Sequence, residues 1–111
     1  MFEGNNRGIV VGLGVVVVGT SLLLSCAEPQ PSMELYHEAV ALRALDEQEQ
    51  AVRRLEAAVG QDPRFALAYS ELAYAHLALG ESERAAWALH KAIGVDPWSF
   101  QDHLELAHIY E

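Results

Sequence analysis

The residues of this 111-residue chain that could do chemistry are few: five His, one Cys and carboxylates at helical spacing. Two Glu-x-x-His sequences, Glu34-Leu35-Tyr36-His37 and Glu105-Leu106-Ala107-His108, put an oxygen and a nitrogen donor one helical turn apart. That is the spacing of carboxylate-rich di-iron bundles. A metal needs more ligands than this, and no His-x-x-x-His pair is present for zinc. There is no Cys-x-x-Cys-His for haem, no Gly-rich phosphate loop and no Gly-x-Ser-x-Gly elbow. The simpler reading of the His residues is exposed helical positions, so no catalytic residue, no metal site and no cofactor is expected. The one thiol, Cys26, excludes a disulfide within the chain.

The elements that must carry any site are set by a repeat. Asp62-Pro63 returns as Asp96-Pro97, 34 positions later. At the same shift Ala39 falls on Ala73, Ala51 on Ala85, Leu55 on Leu89, Ala58 on Ala92 and Val59 on Ile93. Size is matched as well as polarity. A further shift carries Leu72 to Leu106 and Ala73 to Ala107, so a third copy begins before Glu111. Apolar residues recur at three and four residue steps from Met33 to Leu45 and from Ala51 to Val59, which predicts two helices per unit. Gly80 suits the end of a first helix. Asp46, at the corresponding place, reads as an N-cap with Glu49 as its capping-box partner. Ser32 reads as the N-cap of the first helix. Pro63 and Pro97 end the second helices. The two Glu-x-x-His sequences fall at different positions within the unit, so they would not face each other symmetrically.

A 34-residue helix-turn-helix with Leu72-Ala73, Gly80, Ala85, Leu89, Ala92 and Pro97 resembles a tetratricopeptide repeat (TPR). The second unit matches best, while the first has Glu38 where a large apolar residue is usual. The resemblance implies an all-α solenoid of antiparallel helix pairs: two full repeats over 32–65 and 66–99, then the first helix of a third over 100–111. It also implies that the first helix of each unit lines a concave groove. Carried over, the groove positions are Met33, Tyr36, Val40 and Arg43, then Leu67, Ser70, Tyr74 and Leu77, then Gln101, Leu104, His108 and Glu111. This face reads as largely apolar and aromatic, suited to an apolar or helical peptide. A clamp for a terminal carboxylate would need Lys and Asn there, and no Asn follows Asn6. The competing reading is that Tyr36, Tyr74 and Leu77 only pack between helices. Trp87 and Trp98 read as convex-side and inter-repeat packing residues.

The N-terminal part is different in kind. Residues 8–24, GIVVGLGVVVVGTSLLL, form an uncharged run that is apolar on every side. Its length borders on a membrane span, and with Arg7 before it the layout is that of a secretory signal peptide. Leu23-Leu24-Ser25-Cys26 then resembles the bacterial lipobox. That resemblance implies a signal peptide over 1–25, cleavage before Cys26, lipidation of its thiol, and a Pro-containing tether over 26–31. The alternative is an uncleaved signal anchor. Ala27 in place of Asp after the Cys favours sorting to the outer membrane. The formal net charge is −9, and Glu3 offsets Arg7, so the charge lies on the rest of the chain. An acidic domain is repelled by phosphate backbones, which excludes nucleic acid as a partner.

These readings combine into a bacterial cell-envelope lipoprotein whose repeat module binds or scaffolds another protein and has no enzymatic activity of its own. The alternatives are a single-pass inner-membrane subunit that keeps its N-terminal helix and, more remotely, a small metal or redox protein. A last helix carrying Phe100, Leu104, Leu106, Ile109 and Tyr110 would have one side uncovered, which points to docking on a partner or on a second copy. A reading frame that continues past Glu111 would cover it equally well.

Overall fold

The computed structural model describes residues 31–111, which contain five α-helices and no strand. These are α1 (Pro31–Ala44), α2 (Gln48–Gln61), α3 (Ala66–Ala78), α4 (Ser82–Val95) and α5 (Phe100–Ile109). The proposed signal peptide, the lipidation site Cys26 and all of the tether but Pro31 lie outside the described residues. Each helix packs on the next, α1 on α2 and α3 on α4 as hairpins, with α2 against α3 and α4 against α5 as the seams. The all-α repeat expected from the period is the observed architecture. No described helix is long and apolar enough to cross a membrane.

The core follows the 34-residue register. Ala39 and Ala73, Ala51 and Ala85, Leu55 and Leu89, and Ala58 and Ala92 are all fully buried. In α2 the buried Ala51, Leu55 and Ala58 are spaced by four and three, and in α4 Ala85, Ala88, Leu89 and Ala92 form the corresponding stripe, widened by Ala86. The central helix α3 is covered on several sides and buries Ala68, Tyr69, Leu72, Ala73, Ala75 and His76. Small residues at the contacts favour close approach of the helix axes. Leu55, Leu72 and Leu89 are the largest fully buried side chains, each contributing about 1.5–3 kcal/mol relative to exposure. Glu38, where α3 has the buried Leu72, turns outward and pairs with Arg54 of α2 at 3.2 Å.

Both hairpin turns are closed by the same backbone motif. In the first, the Asp46 N–H donates to the Arg43 carbonyl (3.0 Å) and the Glu47 N–H to the Leu42 carbonyl (2.9 Å). In the second, Gly80 donates to Leu77 (3.0 Å) and Glu81 to His76 (2.8 Å). This is the Schellman arrangement, which needs a left-handed residue, and Asp46 and Gly80 supply it. The N-cap reading of Asp46 is therefore corrected. It terminates α1 as Gly80 terminates α3, and Glu47 stands at the N-cap of α2 without a side-chain bond. Ser32 is corrected too: it is a buried residue inside α1 rather than its N-cap.

The seams between hairpins also repeat. The Asp62 carboxylate accepts from the Arg64 N–H and that of Asp96 from the Trp98 N–H, each at 3.2 Å. With Pro at the second position, both are Asx-stabilised turns that stop one hairpin and start the next. Ser99 then caps α5 by accepting from the Asp102 N–H at 3.3 Å. On α5, Leu106 and Ile109 pack against the core, while Ala107 is exposed where its counterpart Ala73 is buried.

Candidate functional site

The first helices α1, α3 and α5 share one outward face, and it carries apolar residues in the open. Met33 is 40% exposed, Val40 39%, Leu67 61% and Leu104 36%. Tyr36, Arg43, Tyr74 and Leu77 are half-buried between them, and Gln101, His108 and Glu111 are exposed. Helix periodicity accounts for the stripe: steps of three and four from Met33 through Tyr36 and Val40 to Arg43 keep side chains on one side of α1.

Two aromatic residues anchor this face. The Tyr36 ring lies 5.1 Å from that of Phe65, at the start of the second hairpin. Tyr74 lies under the Arg43 guanidinium, 5.5 Å from its ring centre, and the same guanidinium pairs with Glu71. Burial, first, and then the negative charges of Asp102, Glu105 and Glu71 push the Tyr74 hydroxyl above the ordinary tyrosine value, with Arg43 opposing. Burial followed by Glu71 raises Tyr36 in the same direction. The carboxylates that act on these two hydroxyls come from α3 and α5.

Ser70 is not open to a ligand. It is buried, and its hydroxyl lies 2.8 and 2.9 Å from the two carboxylate oxygens of Asp102, tying α3 to α5. The groove reading of this residue is corrected: the site's second and third helices meet through it. Glu71, Asp102 and Glu105 were absent from the groove positions expected from sequence, although Glu71 precedes Tyr74 by three and Asp102 precedes Glu105 by three, the spacing that puts helical side chains side by side. Gln101 donates to Glu105 at 2.8 Å. The face is thus acidic as well as apolar.

Among the described residues, no group of three or more His, Cys, Asp or Glu gathers in a way that could hold a metal ion. His76 is buried with its Nδ1 2.7 Å from Glu81, a bond across the α3–α4 turn. A separate open cleft of about 500 Å³ lies between α4 and α5, lined by Ala86, Trp87, His90, Ile109 and Tyr110 among others. Trp87 meets Tyr69 edge-on at 6.2 Å and lies 5.6 Å from the Lys91 ammonium. Trp98 is 90% exposed, so its reading as an inter-repeat packing residue is corrected: the tight Asp96 turn points it outward.

No family model and no curated protein matches this sequence. Solved structures do. The crystal structure of MamA superposes with a TM-score of 0.71 at 24% identity, over 71% of this chain and 46% of that one. A MamA RS-1 double mutant gives 0.68 at 28% identity, over 74% and 46%. The first TPR of Spaghetti (RPAP3), bound to the HSP90 peptide SRMEEVD, gives 0.69 at 24% identity, over 71% and 63%. The chain spans about half the length of the MamA structures and under two thirds of the Spaghetti domain. The fold is TPR-like.

Proposed function

We propose that the chain is a protein-interaction module that receives a peptide segment of a partner protein on the face shared by α1, α3 and α5. The observation that carries this reading is the row of exposed apolar side chains, Met33, Val40, Leu67 and Leu104, flanking half-buried Tyr36 and Tyr74 on adjacent first helices. Apolar side chains left open in a continuous row mark a surface for binding more often than chance exposure. Support comes from the Spaghetti domain, a TPR solved with a peptide on it. The experiment is co-purification with tagged protein from membranes, comparing wild type with Tyr74→Ala. Loss of the partner with unchanged melting supports the reading, and retention of the partner by Tyr74→Ala refutes it.

The module is tethered to the bacterial envelope through lipid on Cys26, with the outer membrane as the favoured site. The sequence Leu23-Leu24-Ser25-Cys26 after an apolar run supports this part of the reading. Intact mass would show the acyl chains, and a Cys26→Ser protein that keeps full precursor length and membrane attachment would instead establish a retained single-span anchor. Self-association through the C-terminal helix α5 is the second reading of how the molecule meets partners, supported by the exposed Phe100 and Tyr110. Sedimentation as a stable monomer at low micromolar concentration would exclude it.

A further inference from the structure

We propose that the segment bound on this face is basic, a stretch of the partner in which Lys or Arg is interleaved with apolar residues. The proposal rests on the groove reading above and adds the chemistry of the occupant. Charge is divided unequally between the two kinds of helix. The first helices α1, α3 and α5 carry Glu34, Glu71, Asp102 and Glu105, besides the Glu38 that pairs with Arg54 of α2, against a single cation, Arg43. The second helices α2 and α4 carry Glu49, Glu56 and Glu83 against Arg53, Arg54, Arg84 and Lys91. An acidic protein has thus concentrated its cations on the helices that form the opposite side.

The one cation on the face is already engaged. Arg43 pairs with Glu71 through one nitrogen and lies over Tyr74, so its charge is partly offset within the face. Asp102 is 3% exposed, and both of its oxygens turn to the same Ser70 hydroxyl. A hydroxyl brings one proton, and the Ala66 carbonyl, 3.3 Å away, competes for it. The Asp102 carboxylate is thus held within the face by one shared proton, and Glu105, on the same helix, adds a half-buried carboxylate beside it. An ammonium or guanidinium arriving beside Tyr74 would meet these carboxylates. The open Met33, Val40, Leu67 and Leu104 would take the apolar residues between. An acidic segment of the SRMEEVD kind would instead meet like charge.

The test uses the full chain in neutral-lipid nanodiscs, with empty discs as the blank, and three amide-capped fluorescent 12-residue probes of alternating Lys/Leu, Glu/Leu and Ser/Leu. Polarisation should show the Lys/Leu probe binding about tenfold tighter than Glu/Leu at low salt, with the gap closing as salt screens it. Glu71→Gln with Glu105→Gln should weaken the Lys/Leu probe several-fold, and Glu49→Gln with Glu56→Gln on α2, the same change in charge, should not. If the first pair fails to fold, Glu105→Gln alone carries the comparison. Equal loss from the α2 pair, or equal binding of the Glu/Leu probe, overturns the proposal. If Ser/Leu binds as well as Lys/Leu and Tyr74→Ala releases both, the groove stands and the charge preference falls. If no probe responds to Tyr74→Ala, both fall.

Discussion

Asp46 and Gly80 hold the same left-handed backbone conformation, φ 62° and 77°, at matching places in the two hairpins. One of them is a residue that pays for it. Asp46→Gly should raise stability by roughly 0.5–1 kcal/mol, since the strain it relieves exceeds the loss of a long, exposed bond from Gln48. Gly80→Ala should lower it by about 1–2 kcal/mol, all of it backbone in origin because a Cβ there meets nothing within 4 Å. Urea denaturation of the two variants checks both signs.

The repeated core predicts paired effects. Leu55→Ala and Leu89→Ala should each cost about 2–5 kcal/mol, since both side chains are fully buried at the same register. Ala85→Trp overfills a fully buried site and should cost about 1–3 kcal/mol or more. Glu56→Gln, at an exposed position on α2, should fall within about 0.5 kcal/mol of wild type. Thermal melts that give all four the same shift would contradict this packing.

How far the sequence alone reached follows from which interactions are periodic. The buried pairs from Ala39 and Ala73 to Ala58 and Ala92 were legible because a translational repeat must reuse its contact sizes. Asp46 was misread because an Asp before a helix is most often a cap, and its left-handed backbone is forced by the closing bonds of the preceding helix. Ser70 and Asp102 were not legible as a pair because they break the register: their counterparts in the first seam are Tyr36 and Ala68, which form no such bond. The apolar stripe of the site came from spacing, whereas its acidity came from side chains that meet only when three helices are side by side.

Tyr36 and Tyr74 predict a loss of stability in alkali. The ionised phenol is the charged form, and burial with nearby carboxylates raises both hydroxyls in the folded state above the unfolded value near 10. Their stabilising contribution is then complete below pH of about 10 and is lost as pH rises through the folded-state values. Phenolate absorbance should show late-titrating tyrosine, and Tyr36→Phe with Tyr74→Phe should flatten the fall in melting temperature above pH of about 10.

The Ser70 hydroxyl predicts strong coupling to Asp102. Ser70→Ala should cost about 1–3 kcal/mol because it leaves a buried carboxylate without its donor. Once Asp102→Ala has removed that carboxylate, the same change should cost much less. A double-mutant cycle that finds the two effects additive within about 0.3–0.5 kcal/mol would show that the bond does not join α3 to α5 in solution.

The twin Asp-Pro elbows at Asp62 and Asp96 make the seam between hairpins a standard joint. Whatever length of solenoid precedes such a joint, the next hairpin leaves it in the same direction and meets the same Ala and Leu surfaces. A duplicate of residues 66–99 inserted after Ser99 should therefore lengthen the molecule as an added carriage lengthens a train, the Ser70–Asp102 bond forming between the added copy and the last helix. Reach, in such a protein, is a matter of copy number, adjustable without redesigning any part.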